Sequence, residues 1–337
     1  MDEDMDDKSG PVLVADVGGT HVRFALAEAD PAGRPLLVSV REFAVLQFGS
    51  LAQAAAHYLA GLGVAGPRRS VLAVASAITG DQVSITNNAW SFSIAALRET
   101  LGLDQIHVIN DLAAVGMAVP HLEPGELAPI GNASVRAVTD GADRHYAVLG
   151  PGTGLGVCRL MLRHGRAAVI ESEGGHIAFA PGNDYEIAIL RYVMKRHARV
   201  SVERLVSGPG LQNLYAAVCA IEGTAATIDT PEGITAGACV GTDAACARTV
   251  ELFCAILGSF AGDVALMYGA WDGVYLGGAL TRTLLPWICQ GGLRQRFESK
   301  GRFSSLMQTI PTFAIAHAQP GLLGAGAWAL VPPPTAT

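Results

Sequence analysis

The 337-residue sequence predicts an α/β protein of two lobes built by internal duplication. Three observations point there. The chain is long for a single hydrophobic core. Short β-branched and apolar runs alternate with stretches of helical periodicity. A strand, a glycine turn carrying a threonine and a second strand occur twice, over residues 12–27 and again over 147–162.

Composition narrows the class. Half of the residues are hydrophobic and 16% are charged, so a large core is easily filled. The net charge of −7, without a basic run, gives no general attraction to nucleic acid or to an anionic membrane, and neither partner is expected. Residues 1–7 are an acidic run without the basic and apolar regions of a secretory or transit signal, and residues 1–10 read as a disordered acidic tail. The most apolar long stretch, residues 252–267, contains Asp263, Gly258 and Gly262 and reads as a buried helix rather than a bilayer span. Six cysteines without a CxxC pair predict a reduced, cytoplasmic protein.

The first hairpin is Val12-Leu13-Val14-Ala15-Asp16-Val17, then Gly18-Gly19-Thr20, then a strand from His21. Paired glycines suit a plain structural turn. They also let backbone amides and the Thr20 hydroxyl approach a phosphate, with Asp16 at the strand end placed to hold a hydrated Mg²⁺. A helix is expected over 51–62, a buried strand over 70–75, and a Gly80-Asp81 hairpin turn into a strand over 83–86. Asn87, Asn88 and Trp90 follow, a cluster that fits either a carbohydrate pocket or a loop anchored by its tryptophan.

Ile106-His107-Val108-Ile109-Asn110-Asp111 reads as a short buried strand running into a helix, with Asn110 as N-cap and Asp111 in the first turn. In its simplest reading the motif is only a capped helix start. It also fits a general base, because the helix dipole favours the Asp111 carboxylate as an anion that can accept a proton from a substrate hydroxyl.

The second hairpin carries Gly150-Pro151-Gly152-Thr153-Gly154-Leu155-Gly156. A Rossmann fingerprint is excluded by context, since a strand and not a helix follows, and no Walker lysine is present. In Glu173-Gly174-Gly175-His176 the glycines turn the chain so that Glu173 and His176 share one space. Hydroxyl recognition suits that pair better than metal ligation, for which further ligands at suitable spacing are missing. Glu203 precedes a Ser207-Gly208-Pro209-Gly210 helix start, and pairs with Arg204 in the simplest reading. A strand over 272–276 ends in Gly277-Gly278, where a backbone can lie flat against an adenine. Residues 321–330 are a small-residue helix suited to close packing, which Pro332–Pro334 stop.

Taken together and in this order, Asp16-Val17-Gly18-Gly19-Thr20, Asn110-Asp111, Gly152-Thr153-Gly154-Leu155-Gly156, Glu173-Gly174-Gly175-His176, Glu203 to Gly210 and Pro320-Gly321-Leu322-Leu323-Gly324 resemble bacterial glucokinases over nearly the whole chain. The resemblance implies a duplicated actin-like (ribonuclease H-like) α/β fold of two domains around a central cleft. They are a small domain over 11–120, with the helix near 320–330 packing back on it, and a large domain over 121–319. It implies a homodimer that transfers the γ-phosphoryl of ATP to the 6-hydroxyl of glucose with Mg²⁺. Asp111 would be the general base, and Asn110, Glu173, His176 and Glu203, with Asn87 in a sugar-side loop, would bind the sugar. Gly18, Gly19, Thr20, Gly152, Thr153 and Gly154 would line the phosphates, Gly277 and Gly278 the adenosine, and Asp16 the metal.

Two residues depart from the family pattern. His21 stands where asparagine is more usual, and Pro151, which has no N–H, stands where a small residue is expected; both bear on the phosphoryl donor. The rival readings are a kinase of another hexose, a ROK-class kinase and a non-catalytic sugar sensor. The ROK class carries a cysteine-rich zinc motif shortly after its Glu-x-Gly-His, and here no cysteine lies between Cys158 and Cys219.

Overall fold

Strands form where β-branched and apolar residues predominate, and in the computed structural model they build two main sheets of the same plan and a separate two-stranded one. Described are residues 10–63, 66–76, 78–85, 88–133, 142–164, 166–241 and 243–331. The expected tail over 1–9, the Thr86-Asn87 turn and the stop at Pro332–Pro334 lie outside them. The chain divides into two units, Met1–Glu123 with His317–Thr337, and Pro124–Ala316.

In the first unit the strands are β1 (Val12–Val17), β2 (His21–Ala29), β3 (Pro35–Ala44), β4 (Arg69–Val74), β5 (Gln82–Ser84), β6 (Ser91–Ser93) and β7 (Gln105–Asn110). The main sheet has the order β3-β2-β1-β4-β7, with β3, β2 and β1 antiparallel and β1, β4 and β7 parallel. Along β1, Leu13, Ala15 and Val17 pack into one core with Leu51, Ala54 and Tyr58 of helix α1 (Leu51–Ala60) and with Leu97 of α2 (Ile94–Thr100). Val12 and Val14 face the other core, with Ala114 of α3 (Asp111–Ala118) and with Leu322 and Ala325 of the C-terminal helix, Pro320–Leu330. Burial on both faces is why β1 is apolar from Val12 to Ala15 and at Val17 instead of alternating, Asp16 near its end being the exception. The small residues of the C-terminal helix serve close approach: a Cβ on Gly324 would lie 1.6 Å from the Ala114 carbonyl oxygen.

Two local expectations are corrected. β7 is an edge strand, and of its residues only Ile109 is buried, so β-branching there reflects strand preference more than burial. Gly80-Asp81 is not a hairpin turn. β5 pairs forward with β6, while Asp81 accepts the Ala95 N–H at 2.9 Å through its carboxylate, at the start of α2.

The second unit contains β8 (Leu127–Pro129), β9 (Arg144–Pro151), β10 (Leu155–Arg163), β11 (Arg166–Ser172), β12 (Gly273–Leu276) and β13 (Thr312–Ile315), in the order β11-β10-β9-β12-β13-β8. Three antiparallel strands are again followed by two parallel neighbours, as the duplication requires, with β8 added at the edge. Its helices include α4 (Asp184–Val193), α5 (Gly208–Glu222), α6 (Pro231–Val240) and α7 (Ala244–Tyr268). By length and composition α7 could cross a membrane, but most of its apolar window is buried in this unit's core.

Candidate active site

Each glycine turn joins the central strand of its sheet to the antiparallel neighbour, β1 to β2 and β9 to β10. The turn at residues 18–20 is closed by the Gly18 N–H donating to the His21 carbonyl at 3.0 Å. Asn88 braces it from outside. Its amide nitrogen donates to the Gly18 carbonyl at 3.2 Å, and its amide oxygen accepts the Trp90 N–H at 2.8 Å. Trp90 is buried and donates through Nε1 to the Phe48 carbonyl, so the Asn88–Trp90 cluster anchors the turn and exposes no indole face for a sugar. Asn87 is not among the described residues.

The fold itself does not require glycine at two of the turn positions. A Cβ on Gly18 would meet only the His21 carbonyl oxygen, at 3.4 Å, and one on Gly152 would meet nothing within 4 Å. Space left open beside a backbone amide is what a phosphate needs.

The parallel strands bring their carboxyl ends level. Val17 pairs with Val74, and Val74 with Asn110, so the ends of β1 and β7 stand level on the carboxyl edge of the sheet, two strand spacings or about 10 Å apart. This edge is where open α/β sheets bind ligands. Asp16 stands near the end of β1, its Oδ2 3.4 Å from Arg23 Nη1. The first turn of the C-terminal helix lies against it, since a Cβ on Gly321 would come within 3.0 Å of the Asp16 carboxyl carbon. That helix terminus favours the carboxylate as an anion.

At the end of β7, Asn110 caps α3 as expected, its amide oxygen accepting from Leu112 N at 2.9 Å and Ala113 N at 3.2 Å. The amide nitrogen donates to the Ser76 carbonyl at 3.3 Å. Asp111 Oδ1 accepts the Leu112 N–H at 2.8 Å, which fixes the carboxyl in the first turn.

In the second unit the turn at residues 152–154 is held by Gly152 N–H donating to Gly154 O, and by Gly208 N–H donating to Gly152 O, both at 2.8 Å. The second bond ties the turn to the start of α5, where Ser207 is the N-cap. Pro151 ends β9 opposite Leu155, and its carbonyl oxygen would lie 2.5 Å from a Cβ on Gly278. Gly278 has a φ of +86°, so contact and backbone both require glycine there. Gly277 donates its N–H to Leu149 O at 2.8 Å. Packing against the hairpin thus accounts for glycine at position 278.

Glu173, His176 and Glu203 come together. A 3₁₀ turn over Gly174–His176 brings His176 Nε2 to 3.8 Å from Glu173 Oε2 and 3.7 Å from Glu203 Oε1. Glu203 does not pair with Arg204. Its Oε2 accepts the Leu155 N–H at 2.8 Å and occupies the space a Cβ on Gly154 would need, 2.7 Å away. One carboxylate therefore links the Gly174–His176 turn to the glycine hairpin.

Supporting residues were not legible in the sequence. Ser172 Oγ bonds to Tyr268 OH at 2.8 Å and donates to Val157 O at 2.9 Å, fixing the chain just before Glu173. Arg199 donates to the His176 carbonyl at 2.7 Å. Tyr268 lies 96 residues from Ser172, and no local pattern announces such a pair.

Comparison with known proteins follows the same lines. The sequence profile described as Glucokinase matches residues 13–331. A glucokinase of Stenotrophomonas maltophilia is 48% identical over 325 residues, 96% of each chain. The crystal structure of glucokinase from an Antarctic psychrotroph superposes with a TM-score of 0.85 at 36% identity, covering 95% of this chain and 98% of that one. A glucokinase from Balamuthia mandrillaris, in complex with glucose, shares the fold at a TM-score of 0.72 and 23% identity, over 95% and 93% of the two chains.

Proposed function

The chain belongs to the glucokinase family, and from that premise we propose that it transfers the γ-phosphoryl group of ATP to the 6-hydroxyl of glucose. One observation carries the chemistry: β1, β4 and β7 end in register, which levels the glycine turn and Asp16 with the capped start of α3 that holds Asp111. Asp111 is the general base. It takes the proton from the 6-hydroxyl as that oxygen bonds to the γ-phosphorus, and the bond from phosphorus to the β,γ-bridging oxygen breaks, leaving ADP and glucose 6-phosphate. Phosphoryl transfer passes through a loose transition state, so a positioned carboxylate of ordinary basicity suffices.

Asn110, Glu173, His176 and Glu203 bind sugar hydroxyls, for which a carboxylate accepts and an imidazole donates or accepts. Asn87 belongs to the same reading. Gly18, Gly19, Thr20, Gly152, Thr153 and Gly154 receive the phosphates; open space at Gly18 and Gly152 supports this. Gly277 and Gly278 border the adenosine. Asp16 fits Mg²⁺, since it offers hard carboxylate oxygens at the strand end beside the glycine turn, and Mg²⁺ usually takes one or two carboxylates together with substrate phosphates. When bound, Mg²⁺ neutralises charge on the β- and γ-phosphates. On family grounds the reading extends to a cytoplasmic homodimer, which light scattering of the purified protein tests.

The deciding experiment is a coupled assay with Mg-ATP, comparing glucose with mannose, fructose and N-acetylglucosamine, and ATP with polyphosphate. Glucose-selective, ATP-dependent turnover is expected. Glucose binding without turnover of any sugar would instead assign a sensor.

A further inference from the structure

Three residues directly opposite one another on β3, β2 and β1, Glu42, Arg23 and Asp16, form one row of charge across the sheet. Arg23 Nε lies 2.5 Å from Glu42 Oε2, and Arg23 Nη1 lies 3.4 Å from Asp16 Oδ2. The second oxygen of Glu42 faces His21, with Oε1 at 3.9 Å from Nε2. His21 shares a face of β2 with Arg23, and its Nδ1 is 3.0 Å from Thr20 Oγ1 in the glycine turn. Glu42 touches neither the turn nor Asp16 in these contacts, yet both of its oxygens lead there.

We propose that Glu42 is a positioning residue for the nucleotide end of the site, acting through Arg23 on Asp16 and through His21 on Thr20. This rests on the phosphotransferase reading above. A guanidinium beside a carboxylate that serves a divalent cation competes with that cation for the same oxygens. Glu42 holds the guanidinium at the shorter distance and so limits its claim on Asp16. Toward Thr20, Glu42 gives the Nε2 side of His21 an acceptor and orients the ring whose other nitrogen meets the hydroxyl. His21 thus has a partner on the neighbouring strand. An exposed ion pair that only protects a sheet edge would engage solvent-facing charges and end there. This row ends instead on two groups assigned to the phosphates and the metal.

The test is Glu42→Ala and Glu42→Gln in the full chain, with Arg41→Ala as control. Arg41 lies on the same strand but reaches the Gly61 carbonyl and takes no part in the row. Four quantities are read: KM for Mg-ATP, KM for glucose, the affinity for Mg-ADP by calorimetry, and Tm. Glu42→Ala is expected to weaken both nucleotide constants about three- to tenfold while KM for glucose stays within about twofold. Glu42→Gln keeps an acceptor for Arg23 and is expected to lose less, and Arg41→Ala should move neither constant. Unchanged nucleotide constants in Glu42→Ala would overturn the proposal. So would equal shifts for glucose and nucleotide, a matching effect of Arg41→Ala, or a loss that tracks a fall in Tm. Wild-type turnover tests the phosphotransferase reading separately, and Mg-ADP calorimetry reports on the row whatever that outcome.

Discussion

Asp111 is one residue past a strand end, and its place depends on its neighbour. Asn110 takes two backbone N–H groups of the first turn of α3, so the carboxyl that follows is held by a helix already started. If Asp111 is the base, Asp111→Ala should lower kcat about 10²- to 10⁴-fold. Glucose binding, measured by calorimetry, should persist, because the hydroxyl partners remain. Near-normal turnover would remove Asp111 from the base role. Asn-Asp before an apolar run, and Glu-Gly-Gly-His, were legible because caps and glycine turns are local chemistry. The Glu203 bond to Leu155 N–H was not, because it joins residues 48 apart, and Arg204 next door offered a simpler partner.

At the scale of elements, α3 and the C-terminal helix meet where Gly324 leaves no room for a methyl group against the Ala114 carbonyl. Gly324→Ala should therefore destabilise the protein by about 1–3 kcal/mol or more, read as a lower urea midpoint. Asp243 caps helix α7, its carboxylate accepting from Ala245 N at 2.8 Å and Cys246 N at 3.2 Å. Burial pushes that carboxyl up, but hydrogen bonds from the Cys246 and Ala245 amides and the Tyr215 hydroxyl outweigh it and hold it below the usual aspartate value. A carboxyl lowered on folding stabilises fully above its unfolded value near pH 4 and loses that contribution as pH falls through the folded value. Asp243→Ala should thus cost about 1–2 kcal/mol at pH 7. Denaturation across pH should show the gap between variant and wild type closing only below about pH 4. A gap that stays constant into acid would deny the cap its charge.

For the whole molecule, among the described residues no group of three or more His, Cys, Asp or Glu side chains is assembled for a metal. With Mg²⁺ proposed to act on the nucleotide phosphates, metal dependence is expected in turnover and not in folding. Chelation by EDTA should abolish activity, which Mg²⁺ restores, while the far-UV circular dichroism and Tm stay as they were; a fall in Tm would reveal a structural metal. The division of labour between sequence and tertiary structure follows from range. The sequence by itself determined the two glycine hairpins, the Asn110 cap, the buried α7 and the duplication. Each is written in contiguous residues by periodicity, by turn chemistry or by self-similarity. Only the tertiary structure decided that β7 lies at an edge, that β5 turns toward β6, and that Ser172 meets Tyr268. It also decided that Glu186 is fully buried against Arg296, 110 residues away. Such choices come from which strand pairs with which, and from charges that find partners only after the sheets have formed. A row such as Glu42–Arg23–Asp16 exists only in register, and a one-residue slip would turn each of those side chains to the opposite face.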